Sequence, residues 1–452
     1  MTLEELLRSV TERSVQYLAG LEKGNVFPSS VAIDALAKLD EPLPDGPGDI
    51  ETVIGLLDNI GSPATVLTAG GRYFGFVIGG SLPAALAANW LAGAWDQNAG
   101  LRITSPIASA LEQISLGWLL DVLSLPAGAG GGFVSGATMA NFTALAAARH
   151  AILKKQGWDV EAKGLFGAPP VTVIVGDEVH VSVLKALSLL GFGRERVIRV
   201  PVDGQGRMRA DALPELTEPA IVCIQAGNVN TGAFDPANEI CAAAQRAGAW
   251  VHVDGAFGLW AAAAPEYAHL TSGFEKADSW ATDAHKWLNV PYDSGIIFCR
   301  NPEHLCGAMS TTAAYLTTGE QREPHHYVPE MSRRARGIEI WAALRSLGRS
   351  GLSDLIERTC NYARRFAEGL TQAGYPILND VVLNQVLVAF GDAETTRRVI
   401  AGVQADGTCW CGSTEWQGHT AMRISVSSWA TTDADVERSL EAILRIAKKE
   451  TG

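Results

Sequence analysis

The chain is short of positive charge. Across 452 residues, 36 Lys and Arg stand against 49 Asp and Glu, a formal net charge of −13, and no basic tract occurs. Nucleic acids and anionic membranes both reward basic patches, so neither is expected as a partner. Long apolar runs are missing as well. The best of them, Ser81 to Trp95, is Ala-rich, falls short of the roughly 20 residues a membrane-spanning helix needs, and reads as a buried helix. Met1 to Leu7 is acidic where a secretory signal would be basic. The seven cysteines are scattered and suggest no disulfide framework, so a cytoplasmic setting is expected. Cys409-Trp410-Cys411 has no further Cys or His at zinc-finger spacing and reads as a half-buried strand with both thiols on one face. His325-His326 sits in what reads as an exposed or mobile loop, and no metal site is expected.

What is present is a long alternation of strand and helix patterns, with length for two or three domains. Residues 1–70 hold an amphipathic helix, Leu3 to Leu21, whose apolar face includes Leu3, Leu6, Leu7 and Val10, followed by a Pro/Gly-rich passage. Residues 71–331 alternate strands (Val171 to Val175, Ile221 to Gln225, Trp250 to Val253, Gly295 to Phe298) with helices such as Ser105 to Leu123 and Pro236 to Ala247. That is the pattern of a mainly parallel sheet covered by helices. The end of this region, Asn301 to Met331, lacks periodicity and reads as containing a loop over the site. Residues 332–452 open with a helix, Ser332 to Thr371, and continue as strand Val386 to Phe390, helix Glu394 to Gln404, strand Ala421 to Val426 and helix Thr432 to Ala447, a small α+β domain.

Four segments carry chemistry. Ala249 to Asp254 reads as a buried strand ending in a carboxylate, which an apolar strand tolerates only with a partner. Lys286 follows Asp254 by 32 residues, at the end of a second strand, Ala277 to Thr282. A lysine amine can hold the aldehyde of pyridoxal phosphate as a Schiff base, and a carboxylate can keep the pyridine nitrogen protonated; an ordinary ion pair is the plainer alternative. Gly132 to Asn141 is a small-residue turn running into the helical pattern that starts at Phe142. Such a turn lets backbone N–H groups approach a phosphate, although a glycine-rich turn alone is usually a helix cap. It carries neither the nucleotide P-loop lysine nor the dinucleotide glycine spacing. His180 follows the strand Val171 to Val175; its imidazole could lie flat on a pyridine ring, or simply cap the next helix.

Together these segments resemble the pyridoxal-phosphate-dependent group II amino-acid decarboxylases, the family of the aromatic-amino-acid and glutamate decarboxylases. The resemblance runs from about Arg72 to the C-terminus through the turn at Ser135 to Asn141, His180 with Ser182, HVDGAFG at His252, ADSWATDAHKWLNVPYDSG at Ala277, SRRARGIEIWAALRSLGRSG at Ser332 and AMRISV at Ala421. It implies an α/β protein of the PLP-dependent transferase fold type I. That fold has a large domain with a mainly parallel seven-stranded sheet, a small C-terminal α+β domain and an N-terminal helical arm that packs on a partner subunit in a homodimer. It implies Lys286 as the Schiff-base lysine, Asp254 at the pyridinium nitrogen, Ala256 beneath the ring and His180 above it. It also implies Gly136, Ala137 and Thr138 at the phosphate with His285 beside it, and Asn228 in a loop near the cofactor.

The expected cofactor is pyridoxal 5'-phosphate and the expected reaction is α-decarboxylation of an L-amino acid. Tyr73 to Ser81 is rich in aromatic and aliphatic residues, which favours an aromatic or apolar substrate, while Arg102 could serve an acidic one. The alternatives are another carbon–carbon lyase or aldolase, a decarboxylating aldehyde synthase, a transaminase and a cofactor-binding scaffold. Aromatic decarboxylases carry a loop tyrosine ahead of the Arg-Arg pair that helps protonate Cα; here the gapless position is Pro324, Tyr327 is the nearest candidate for the donor, and His325 and His326 are the alternatives. Arg423 is read as holding a structural salt bridge in preference to a substrate carboxylate.

Overall fold

The computed structural model describes residues 1–311 and 321–452. An N-terminal arm carries helices α1 (Leu3–Gly20), α2 (Ser30–Ala35) and α3 (Ile50–Leu56). Thr2 caps α1 through a reciprocal pair with Glu5, which satisfies two of its first free N–H groups. None of the three helices buries a residue against its own chain.

The large domain follows as α4 (Pro83–Trp95), α5 (Pro106–Val122), β1 (Gly130–Val134), α6 (Ala137–Lys155), α7 (Val160–Lys163), β2 (Thr172–Gly176), α8 (Val181–Leu189), β3 (Ile198–Val200), β4 (Ala220–Gln225), α9 (Ala237–Ala247), β5 (Trp250–Asp254), β6 (Ser279–Asp283), β7 (Gly295–Cys299) and α10 (Pro302–Met309). Its seven strands lie in the order β1-β7-β6-β5-β4-β2-β3; β7 runs antiparallel to both neighbours and the rest pair in parallel. Alternate residues feed two cores. Val222, Ile224, Val253 and Trp280 face one side with α5, while Val173, Val175, Cys223 and Ala281 face the Ala-rich side of α6 and α8. Burial on both faces is why these strands read as continuous apolar runs. The chain ends with α11 (Gly337–Gln372), β8 (Gln385–Val388), α12 (Ala393–Asp406), β9 (Gly412–Trp416), β10 (His419–Ser425) and α13 (Asp433–Thr451); β8, β10 and β9 form an antiparallel sheet with its own core.

Several expectations change. Gly130 to Val134 is a strand, and the helix behind it starts at Ala137, five residues earlier than the pattern suggests. Glycine is poor in strands, but a Cβ on Gly131 would lie 2.2 Å from the Ile297 carbonyl oxygen, so close strand approach requires it. Ser332 to Arg336 is not helical, because Arg333 and Arg336 are drawn to Glu112 and Asp293, and α11 breaks at Gly348, where φ is +60°. α4 buries only Ala85 and Ala88, leaving Trp90, Leu91 and Trp95 exposed. Cys409 and Cys411 are both fully buried. His325 is buried in a short 3-10 turn, not exposed, with Nδ1 3.2 Å from the Gly100 carbonyl oxygen. The middle of the expected loop, residues 312–320, lies outside the described residues. Among the described residues no helix is long and apolar enough to cross a membrane.

Candidate active site

The C-terminal ends of β2, β5 and β6 converge, as ligand sites in open α/β sheets do. Asp254 is the last residue of β5 and Asp283 the last of β6, with Lys286 three positions on. The segment around Lys286 is rigid. Trp287 is fully buried and donates its indole N–H to Thr359 Oγ1 at 2.9 Å. Asn289 donates to the carbonyls of Trp287 and Ser427. Gly79 passes so close that a Cβ there would sit 1.8 Å from the Lys286 carbonyl oxygen. The amine itself stays partly open, with Nζ 3.4 Å from Asp283 Oδ2.

Asp254 is 5% exposed and, among the described residues, pairs with no cation. Its Oδ2 accepts from Asn141 Nδ2 at 3.2 Å and from Ser182 Oγ at 3.3 Å; its Oδ1 accepts only the Ala256 N–H, at 3.3 Å. A buried carboxylate needs a positive partner, and the protonated nitrogen of pyridoxal phosphate would be one. His180 caps α8, its Nδ1 2.7 Å from Ser182 Oγ. Burial holds its pKa below the ordinary value, so the ring is neutral near pH 7. The charges of Asp254, Lys286 and Arg423 all reach it.

Gly136 has extended backbone and leads into α6, a helix with no side-chain N-cap. Gly295 on β7 lets this turn lie flat, since a Cβ there would meet Gly136 Cα at 2.4 Å. The Ala137 N–H donates to Asp283 Oδ1 at 2.6 Å, so a carboxylate already rests at the positive end of α6. Thr138 is half-buried in the first turn. His285 Nε2 lies 3.6 Å from Asp283, Nδ1 accepts from the Ser294 N–H, and the ring stacks on Tyr292 at 4.2 Å. Burial depresses its pKa too. Ala256 bridges the two strand ends, its N–H on Asp254 and its carbonyl accepting from Asp283 N.

Lys286, Asp254, Ala256, His180, Gly136, Ala137, Thr138 and His285 therefore surround one strand-end region, and two expected residues do not join them. Asn228 spends its side chain on its own loop, accepting from the N–H groups of Asn230 and Thr231 and donating to Glu178. Tyr327 lies on the β1 side of the domain beneath the Arg322 guanidinium, 4.1 Å from ring centre. Arg423 has no salt bridge among the described residues: Nη1 donates to the Val229 carbonyl, and the buried Nε is unpartnered. Reading from sequence missed His252, Asn141 and Asp283. Strand parity was the available signal for His252, since residues i and i+2 share a face and Asp254 is its i+2 neighbour.

Comparison with known proteins identifies relatives over most of the chain. The pyridoxal-dependent decarboxylase conserved domain matches residues 34–390. Aromatic-L-amino-acid decarboxylase of Drosophila lebanonensis is 30% identical over 397 residues, covering 81% of this chain and 96% of that protein. Tryptophan decarboxylase 1 of Oryza sativa subsp. japonica is 28% identical over 422 residues, covering 84% and 81%. The solved structure of Oryza sativa TDC with PLP and tryptamine superposes with a TM-score of 0.93 at 22% identity, covering 100% of this chain and 99% of that one. A buried strand-end carboxylate lacking a cation, a lysine just past the end of the next strand and a domain match over most of the length lead to one assignment: the chain belongs to the pyridoxal-dependent decarboxylase family and is a PLP-dependent carboxy-lyase.

Proposed function

We propose that the enzyme decarboxylates an aromatic L-amino acid, that it works as a homodimer, and that Lys286 carries the cofactor. The observation that carries the cofactor assignment is Asp254, a buried carboxylate whose Oδ1 retains only one long backbone contact. When bound, pyridoxal 5'-phosphate supplies an electron sink for the bond that releases CO₂. Asp254 holds the proton on the pyridine nitrogen. The α6 N-terminus at Gly136, Ala137 and Thr138 receives the phosphate, with His285 beside it. His180 offers a neutral imidazole whose Nδ1 is committed to Ser182. Arg423 supplies a buried guanidinium for the substrate carboxylate, which outweighs the structural role expected from the sequence.

An aromatic substrate is supported by the relatives named above and by a stack near this arginine. Trp410 stacks with Tyr73 at 5.1 Å and with Phe76 at 5.9 Å, and a Cβ on Gly75 would come 2.1 Å from the Trp410 ring. Phe76 holds a left-handed backbone, φ +53°, and the residue is 58% exposed. Aromatic surface displayed at this cost suits a planar apolar side chain. Dimerisation is supported by the arm, whose helices hold no fully buried residue and whose first helix borders a cleft of about 1090 Å³ lined by Tyr17, Leu21, Trp90 and Trp429.

Borohydride reduction of the holoenzyme, followed by peptide mapping, tests the cofactor assignment. The label is expected on the peptide containing His285-Lys286, and Lys286→Ala is expected to lose the cofactor's visible band. A label on Lys185 or Lys276 would overturn it.

A further inference from the structure

We propose that Trp250, Ser279, His252 and Asn141 form a hydrogen-bond chain of fixed direction that aims an amide N–H at Asp254 Oδ2 and leaves Oδ1 for the cofactor's ring nitrogen. The proposal rests on the role given to Asp254 above. None of these four residues belongs to the site read from the sequence, and all four lie beneath it. His252 and Ser279 are fully buried on neighbouring strands, and Asn141 is fully buried on α6.

The direction follows from the two ends. An indole N–H only donates. Trp250 Nε1 lies 2.9 Å from Ser279 Oγ, so that oxygen accepts. Among the described residues the hydroxyl hydrogen then has one acceptor within reach, His252 Nδ1 at 3.0 Å; turned otherwise it would be buried without a described partner. Burial drives the His252 pKa down to about 4, so the ring is neutral and its single proton sits on Nε2. Nε2–H donates to Asn141 Oδ1 at 2.8 Å. The Asn141 amide nitrogen therefore faces Asp254 Oδ2 and Ser182 Oγ, each at 3.2 Å. The far end requires the same answer independently. An ionised carboxylate only accepts, and a flipped amide would set oxygen against oxygen there while leaving two donors facing each other at His252.

The consequence is a division of labour within one carboxylate. Oδ2 is held by Asn141 and Ser182, and Ser182 also touches His180 Nδ1 at 2.7 Å, so the groups expected at the ring nitrogen and above the ring share one scaffold. Asn141 and its supports are positioning residues: they act through Asp254.

The test uses the holoenzyme reconstituted with pyridoxal 5'-phosphate and reads the pH midpoint of the bound cofactor's visible absorbance, alongside kcat and thermal unfolding. Ser279→Ala and Trp250→Phe are expected to move the midpoint in the same direction as Asn141→Leu, by several tenths of a pH unit, and to lower kcat on the order of tenfold. His252→Gln, which can accept from Ser279 and donate to Asn141, is expected to restore most of what His252→Leu loses. Trp250→Phe added to Asn141→Leu is expected to cause no further shift, because one chain is already broken. Lower unfolding temperatures with an unchanged midpoint would overturn the chain and leave ordinary packing. So would additive shifts in the double variant. If instead Asp254→Asn keeps wild-type turnover, the role of Asp254 itself fails.

Discussion

At the scale of residues, Arg423 is an unusual expense. The residue is 9% exposed, its guanidinium is held by one carbonyl and, among the described residues, by no carboxylate, and burial pulls its pKa down with Tyr73 acting against the shift. Such a charge is retained where a ligand supplies the counter-ion. Arg423→Leu is therefore expected to raise the thermal midpoint by a few degrees while lowering kcat/KM about 30- to 100-fold, chiefly through KM, which corresponds to about 2 to 3 kcal/mol for a charge-assisted pair. Steady-state kinetics with parallel calorimetry checks this. A destabilised variant with unchanged KM would return Arg423 to a structural role. Asp283 raises a related point. Its carboxylate caps α6 where the phosphate is expected and leans on Lys286 at 3.4 Å, so seating the cofactor must rearrange that contact.

At the scale of elements, the chemistry was legible because it sits at strand ends. Apolar runs closing on Asp254 and Thr282 announce β5 and β6, and residues just past parallel strands face the ligand crevice. What escaped was decided by contacts distant in sequence. β1 is glycine-rich because Ile297, Pro302 and Val328 press on it, and propensity alone denies it a strand. Tyr327 looked like a loop phenol, yet Arg322 and Glu112 tie that segment to α5 and to the Gly131 carbonyl. Its packing leaves it no described contact with Lys286. Ser332 to Arg336 had helical periodicity, but salt bridges to Glu112, Asp293 and Glu339 hold the backbone open. The chain from Trp250 to Asn141 was hidden for a similar reason: its members lie on different elements and meet only in the folded core.

At the scale of the whole molecule, large apolar side chains stand exposed on three helices, among them Leu3, Leu7 and Val15 of α1, Trp90 and Trp95 of α4, and Ile107 and Trp118 of α5. Nothing among the described residues covers them, and a self-complementary two-fold contact would. Sedimentation at micromolar concentration is expected to give the mass of two chains, and deletion of residues 1–20 to weaken association and activity together; a fully active monomer would contradict the assembly. The central claim concerns the reaction. Its most direct test is the product balance of the reconstituted holoenzyme with L-tryptophan, L-tyrosine and L-glutamate, measuring CO₂, amine, aldehyde and hydrogen peroxide together. The account predicts equal amounts of CO₂ and arylethylamine, with kcat/KM for an aromatic substrate on the order of a hundredfold above that for L-glutamate, about 2.7 kcal/mol in the barrier. Aldehyde and peroxide in place of amine, or no CO₂ from any aromatic amino acid, would contradict it.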